Sequence, residues 1–435
     1  MAEFRLGFAN EETVRDISVN RREPPWLLSE RLAALARFNE LPLETNPLFT
    51  KQIDISAARV EEAIPYANPP AEPRSAAMTE TGVSGMFHQM EDHVETLGID
   101  VELEEKGVVL DTLEGAARRH PEFLKSFLTA KDCLPRTDKF AQMGRALHMA
   151  GIFLHVPDDI VLSKPILLRW SVGRESTALV SRTIVSLGRN SRASVIEETE
   201  SSVFANGGRH SLFCGTTEAV IGAGSNLRYT SVENAGENVA VFLSRQATMD
   251  AGSSTVWGLG HVGGAMTRSR VDNILAGRGA SVNEVQVMYG HKTQMFDLLS
   301  KTRHAAEDTV SDLLSKSVLQ DQAKAYTKGL ITIEKEGRGS DSYLGEFGMV
   351  LSRDARFLAI PSLEIENHLV KRAKHAASVA QISDEQIFYL TSRGINERAA
   401  RRLIVMGFLE PVVERIPLES VETRLRGLFE TRWAG

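Results

Sequence analysis

Residues 222–256 read GAGSNLRYTSVENAGENVAVFLSRQATMDAGSSTV. The stretch begins and ends with turns of Gly, Ala and Ser, and between them Val239–Leu243 is an apolar, β-branched run typical of a strand. No amphipathic helical pattern separates such strands, so a doubly wound α/β sheet is disfavoured. Similar turns recur roughly 25 to 35 residues apart, and they begin at Gly188, Gly222, Ala251 and Gly277.

Units of strand and turn that repeat without helices indicate a β-solenoid, in which each coil pairs with the next. We assign this core to residues 146–372. Coils of about 25 residues give roughly eight or nine rungs and, at about 4.8 Å per rung, a stack on the order of 40 Å long. The irregular period leaves a jelly roll or a β-sandwich as the alternative fold. The open ends of a solenoid need covering, and the flanking sequences offer helices for this.

Helical patterns flank the core on both sides. Residues 1–145 are predicted to form a helical region, with Asn10 capping the first helix and a Pro-rich linker at about residues 64–85. Residues 373–435 are predicted to form a small domain of three short helices. The first helix is expected to begin at a capping box, Ser383–Gln386, and to end at Gly394. The second is expected from Asn396 to Gly407, and the third begins at about Leu418.

Composition excludes several classes of protein. The 435 residues carry 50 Lys and Arg against 57 Asp and Glu, a formal charge of −7, which argues against an overall nucleic-acid-binding surface. Two cysteines exclude a disulfide framework, a four-thiolate zinc site and a four-cysteine iron–sulfur centre. The N-terminus lacks a secretory signal, and no apolar run approaches the ~18–20 residues that span a bilayer. We therefore expect a cytoplasmic protein without nucleic-acid or membrane partners.

Local motifs for catalysis or metal binding are weak. The histidines and cysteines form no metal-binding motif, and no Gly-rich turn continues as a phosphate-binding loop, so nucleotide hydrolysis would come from a partner. Cys214 is interpreted as a small buried apolar residue, with a ligand or nucleophile role as the alternative, and Cys133 as incidental. Glu364 and Glu366 share one face of a strand about 7 Å apart. This pair, like Glu197–Glu198, leaves a carbohydrate-active β-helix enzyme as a second hypothesis.

Several segments along the chain match one known family. The N-terminal part and the core contribute Pro25–Leu28, Arg31–Phe38, Lys139–Ala141, Gly151–Pro157, Gly263–Arg268 and the series His291, Asp297, His304 and Ser311. The most specific segments lie in the tail, and they are Pro361–Ile365, His375, Gln386–Ile395 and Ala399–Arg401. Together these segments resemble the SufB/SufD family of iron–sulfur cluster assembly proteins over nearly the whole chain.

The resemblance implies a fold and a set of partners. The fold is a right-handed parallel β-helix core between N- and C-terminal helical domains. A SufB-type subunit, or a second copy of this chain, would pair with it through the β-helix. The ABC-type ATPase SufC would dock on the C-terminal helices. Such a complex assembles iron–sulfur clusters for acceptor proteins, and this chain would be a non-catalytic subunit of it.

The resemblance also implies a metal ligand. The family's tail histidine corresponds to His375, which we expect at the subunit interface as a ligand for iron or a nascent cluster that is transient and shared with the partner. An interface hydrogen bond without metal is the alternative. SufD-like members often carry a cysteine two residues earlier, where this chain has Ala373, so further ligands would come from another chain. The scarcity of cysteines favours the SufD-like half of the family, while Cys214 leaves a SufB-like homodimer open.

A second set of residues is expected to bind the ATPase. Phe388, Tyr389 and Arg393 lie in the first C-terminal helix and its stop. Exposed aromatic residues beside an arginine are frequent anchors at protein interfaces. Packing of the aromatic pair inside the helical domain is the alternative interpretation.

Overall fold

The computed structural model describes residues 4, 6–46, 49, 54–66, 80–130, 134–172, 174–201 and 210–434. Cys133 and most of the predicted Pro-rich linker lie outside the described residues. Within them, no helix is both long enough and apolar enough to cross a bilayer.

The elements follow in chain order. The α-helices are α1 (Glu11–Asn20), α2 (Pro25–Glu40), α3 (Val101–Glu105), α4 (Leu113–Arg119), α5 (Pro121–Ala130), α6 (Lys139–Leu147), α7 (Asp384–Ser392), α8 (Glu397–Val413) and α9 (Glu419–Ala434). The first strands are β1 (Ile64–Pro65), β2 (Gly85–Met90), β3 (His93–Ile99), β4 (Val109–Thr112), β5 (Ala150–Val156), β6 (Ile166–Val172), β7 (Thr177–Leu187), β8 (Arg192–Ser201), β9 (Ser211–Ile221) and β10 (Asn226–Asn234). The remaining strands are β11 (Val239–Met249), β12 (Ser254–His261), β13 (Met266–Leu275), β14 (Ser281–Gly290), β15 (Met295–His304), β16 (Val310–Leu319), β17 (Lys324–Ile333), β18 (Asp341–Val350), β19 (Arg356–Ile365) and β20 (Arg372–Gln381).

Strands β5 to β20 wind as a parallel β-helix of about eight coils with two strands per coil. The odd-numbered strands form one sheet and the even-numbered strands the other, so each strand pairs with the one two places along the chain. The register is regular: Ser281 lies opposite Val310, and Asp341 lies opposite Arg372. This order confirms the solenoid prediction and rules out the jelly roll and the sandwich, whose sheets are antiparallel.

The interior of the β-helix combines apolar rows with paired charges. Trp170, Tyr229 and Trp257 are fully buried there. The guanidinium of Arg245 also lies inside, 3.0 Å from a carboxylate oxygen of Glu197 and 2.8 Å from one of Glu233. A buried charge is tolerated only when such partners replace its hydration. The core is therefore continuous along the stack without being purely apolar.

The N-terminal end of the β-helix is covered. Strand β3 pairs antiparallel with β2 beside β6, and β4 pairs antiparallel with β5, so both sheets end in a reversed strand. Helices α2 and α6 pack beside the odd sheet, where Arg182 of β7 contacts Glu218 at 2.6 Å and Glu30 of α2 at 3.2 Å. The sequence predicted the helices, and Asn10 caps α1 as expected, but it did not predict strands within residues 85–112.

The C-terminal end differs from the prediction in three details. Strand β20 extends the β-helix to Gln381, past the expected end at residue 372, because it pairs in register with β18. Helix α8 runs through Gly407 to Val413, since nothing at Gly407 requires a left-handed backbone. Ser383 is the N-cap residue of α7, but its side chain makes no capping hydrogen bond.

Helices α8 and α9 pack on the outer face of the even sheet. Their apolar residues, among them Leu425 and Phe429, form one cluster with Val262, Val287 and Tyr289 of the strands. Gly260 of β12 permits the close approach, because a side chain there would clash with Leu425. The packing fixes these two helices to the middle of the sheet.

Candidate partner interface and iron ligand

The last coil of the β-helix is open. Strand β19 pairs only with β17, and β20 only with β18, so each has one free edge among the described residues. Most residues of β18 are buried, whereas those of β19 and β20 are exposed or half-buried. Four large apolar side chains on or between these strands are exposed: Leu358, Ile365, Leu369 and Val379. A free strand edge with apolar side chains is a template for pairing with another chain.

His375 lies on this open coil. It stands opposite Leu344 in the β18–β20 register, is exposed, and has no hydrogen bond or ion pair with a described residue. Leu344 faces the interior, and side chains in register stack along a β-helix, so His375 continues an interior row at the open end. Neutral imidazole is a ligand for iron. The His375 ring is not occupied by any described residue.

The start of β20 is basic but partly neutralised. Asp341 of β18 lies 2.6 Å from Arg372 and 3.2 Å from Lys371. Partial burial of Asp341 would raise its pKa, but these two cations outweigh that effect and hold the pKa below its ordinary value. The carboxylate therefore stays ionised and fixes the beginning of the terminal strand to the coil behind it.

A small cavity lies inside the β-helix directly behind the open coil. Its volume is about 10 Å³, room for about one water molecule. Glu346, Ser315 and Thr327 line it, and each has a side-chain oxygen with no hydrogen-bond partner among the described residues. Burial raises the pKa of Glu346 to about 8, while a hydrogen bond from the backbone N–H of Ile360 opposes the rise. The carboxyl of Glu346 thus links β18 to the open coil.

Sequence reasoning did not single out Glu346. The residue is only 2 % exposed and shares the interior face of β18 with Leu344. An acidic residue at an inward position of a buried strand is the signal that was present in the sequence.

Cys214 is distant from the open coil. It lies on β9 and is buried against α6, with its Sγ 3.9 Å from the carbonyl oxygen of Phe140. Burial raises the pKa of the thiol far above its ordinary value, so the thiolate that would bind metal is disfavoured. Five coils, roughly 24 Å, separate β9 from β19. The structure does not bring Cys214 and His375 together.

Helix α7 presents the predicted aromatic pair to solvent. Phe388 is 72 % exposed and Tyr389 is 57 % exposed, whereas Ile387 of the same helix is buried. The guanidinium carbon of Arg393 lies 5.2 Å from the centre of the Tyr389 ring, a cation–π contact. A cavity of about 370 Å³ adjoins Tyr389 and is bounded by Leu390 of α7 and Ile404 of α8. The aromatic pair therefore does not form the core of the helical domain.

The carboxylate pairs considered for glycoside hydrolysis have other surroundings. Glu197 is bound inside the β-helix by Arg245, and Glu198 is bound by Arg169 at 2.9 Å. Glu364 and Glu366 are exposed at and just beyond the end of β19. In the described part of the chain, no three His, Cys, Asp or Glu residues are placed to hold a metal ion.

The geometry defines a class: a parallel β-helix protein with one covered end, one open end and a free imidazole on the open coil. Residues 170–408 match the family described as SUF system FeS cluster assembly, SufBD core domain. Similar proteins include the iron–sulfur cluster assembly SufBD family proteins of Staphylococcus saprophyticus, 26% identical, and of Staphylococcus aureus strain MRSA252, 27% identical. Each match covers 94% of this chain and 90% of the relative.

The chain belongs to the SufBD family and is an iron–sulfur cluster assembly protein of the SUF system. This confirms the family resemblance that the tail segments indicated.

Proposed function

We propose that this chain is a SufD-like, non-catalytic subunit of a SUF assembly scaffold, which pairs through its open coil with a SufB-type subunit and docks the SufC ATPase on α7. One observation carries the proposal. The free edges of β19 and β20, their exposed apolar side chains and the unpartnered His375 all lie on the same coil. A partner that covers this coil would bury the apolar side chains and bring its own groups to the imidazole.

The cargo in this proposal is iron or a nascent cluster. His375 supplies one imidazole nitrogen, while Cys214 is buried five coils away, so thiolates would come from the partner subunit. A ligand set divided between two chains makes metal affinity depend on how closely the two coils fit. A change in that fit would weaken the site and favour transfer of the cluster to an acceptor.

The ligand role is tested with His375→Ala in the complex co-expressed with the SufB-type and SufC subunits. His368→Ala is the matched control, because His368 is exposed in the turn that precedes β20. Iron and sulfide per complex are measured after reconstitution, and light scattering gives the mass of the complex. We expect His375→Ala to leave the complex assembled and to lower bound iron at least fivefold, with no change for His368→Ala. Unchanged iron would remove the ligand role, and dissociation of the complex would identify an interface hydrogen bond instead.

The docking role is tested with the double substitution Phe388→Ala/Tyr389→Ala. Exposed aromatic anchors often contribute most of the binding free energy of an interface, so we expect SufC affinity to fall at least tenfold in a pull-down titration. Leu403→Ala is the control, because Leu403 is exposed on the neighbouring helix α8. Arg393→Ala should give a smaller loss through its stacking on Tyr389. Equal SufC affinity for the double variant and the wild type would place the ATPase elsewhere.

A further inference from the structure

A polar groove of about 450 Å³ lies on the outside of the β-helix, far from the open coil. It crosses the beginnings of three adjacent strands of the even sheet, β8, β10 and β12. Four coils of the sheet separate β12 from β20, so the groove is distinct from the surface around His375. The polar side chains that line it are Arg192, Ser194, Ser225, Asn226, Arg228 and Ser254.

The strand register places two arginines side by side in this groove. Arg192 stands opposite Asn226, and Ser194 opposite Arg228, so the two arginines are diagonal neighbours on adjacent rungs. Rung spacing and strand rise put their Cα atoms roughly 8 Å apart. Both arginines are exposed, while Ala193, which follows Arg192, and Leu227, which precedes Arg228, are buried. Their guanidinium groups therefore project on the same side and can reach one ligand.

The charge of this pair is not balanced by the described part of the protein. No acidic side chain lines the groove, and neither guanidinium has a carboxylate partner among the described residues. Arginines at nearby turns are paired, Arg189 with Asp158 at 2.9 Å and Arg278 with Asp308 at 2.8 Å. Like charges on neighbouring rungs repel each other, so a bound anion would stabilise this arrangement.

The remaining lining fits an oxyanion on a small organic molecule. The Asn226 amide donates to the Ser254 hydroxyl at 2.6 Å, which leaves the Ser254 O–H, the second Asn226 N–H and the Ser194 hydroxyl as donors beside the guanidiniums. Such a set is common around phosphate. Val161 and Leu162 form an apolar edge, and Val161 is exposed. The volume lies within the ~300–1,000 Å³ of small-molecule sites.

We propose that this groove binds a phosphate group, held by Arg192 and Arg228. The phosphate belongs either to a small organic molecule, whose apolar part lies against Val161, or to free inorganic phosphate.

Titration calorimetry of the full chain in phosphate-free, low-salt buffer tests the proposal. The probes are inorganic phosphate, ribose 5-phosphate and AMP. We expect saturable binding that weakens with added salt and falls at least tenfold in Arg192→Gln/Arg228→Gln. Arg189→Gln/Arg278→Gln removes two exposed arginines that already have partners and should bind as the wild type does. Thermal unfolding followed by circular dichroism confirms that both double variants are folded.

The outcomes separate the sources of the phosphate. Tighter binding of ribose 5-phosphate or AMP than of inorganic phosphate identifies an organic phosphate, and equal affinities identify free phosphate; both support the site. No binding of any probe up to about 10 mM, or equal affinity in the Arg192→Gln/Arg228→Gln variant, overturns the proposal. Binding of polyglutamate without binding of the phosphates would also overturn it, in favour of an acidic peptide.

Discussion

The two ends of the β-helix are built in opposite ways. At the N-terminal end, reversed strands β3 and β4 end the sheets, and helices are held against the odd sheet by buried ion pairs around Arg182. At the C-terminal end, β19 and β20 have free edges and exposed side chains, although α8 and α9 lie on the even sheet, to which β20 belongs. The helices that could have covered the end thus pack on the side of the stack.

Under the proposed pairing, the covered end stabilises the single chain and the open end serves association. Edge strands invite non-specific pairing unless something blocks them. At the covered end, both edges of β5 and both edges of β6 are paired within one chain. At the open end, β19 and β20 are each paired on one side only among the described residues, which is consistent with the proposed pairing. The following predictions test whether the two ends have these separate roles.

The largest effect is expected at the covered end, from Arg182→Ala. Burial would raise the pKa of Glu30, but the charges of Arg182 and Arg145 outweigh it and lower the pKa, so the Glu30 carboxylate depends on these arginines. Without Arg182, Glu218 has no ion-pair partner among the described residues and Glu30 keeps only Arg145. An uncompensated buried charge costs about 3–5 kcal/mol in the free energy of unfolding. Urea denaturation measures it. Arg278→Ala, at an exposed pair, should cost less than about 1 kcal/mol, and equal losses would contradict the separation of roles.

The next effect concerns the cavity behind the open coil and depends on pH. The folded pKa of Glu346 is about 8, above the ordinary value of 4.5, so the native state binds more protons than the unfolded state between these values. Stability from this group is therefore complete below about pH 4.5 and is lost as the pH rises towards 8. Glu346→Gln should stabilise the chain by on the order of 5 kcal/mol at pH 9 and change little at pH 4.

Urea unfolding of Glu346→Gln across that pH range provides the measurement. Glu336→Gln, at an exposed position between β17 and β18, is the matched control and should show no such pH dependence. If the free energy of unfolding of Glu346→Gln runs parallel to that of the wild type from pH 4 to pH 9, folding does not raise the pKa of this carboxyl.

The smallest effect on stability, with a large effect on association, is expected from Ile365→Lys/Val379→Lys at the open end. These side chains are 47 % and 54 % exposed, so the isolated chain should lose less than about 0.5 kcal/mol of stability. Two desolvated charges at an interface should weaken pairing with the SufB-type subunit at least thirtyfold, measured by light scattering and titration. Val310→Lys, at a residue that is 41 % exposed on β16, should pair normally. Unchanged pairing of the double variant would exclude the open coil as the interface.

Much of the fold was predictable from the sequence, because a β-helix repeats the same turn chemistry at each coil. Four Gly- and Ser-rich turns favoured the solenoid but left a jelly roll or a β-sandwich as the alternative. The limits of its last strand were not, since residues 372–381, RAKHAASVAQ, have little β propensity and are a strand only through pairing with β18. Helix α8 exceeded its predicted end because Gly407 is compatible with a helical backbone.

The candidate site was predicted less completely. His375 came from the family resemblance, and only the structure shows that it is exposed and without a partner. No sequence motif marks Glu346, Arg192 or Arg228. Their significance depends on which strands are neighbours in the β-helix. Side chains that are distant in sequence meet in this fold at intervals set by coil length, which varies along the chain.

The free edge of β20 has a consequence for how the protein must be produced in a cell. A chain made in excess of its partner would display an unprotected strand that can template fibrous self-assembly. The cations at Lys371, Arg372 and Lys374 hinder such growth, since stacked copies would bring like charges together. If the proposed partner covers β20, balanced synthesis of the two subunits would also keep this chain soluble.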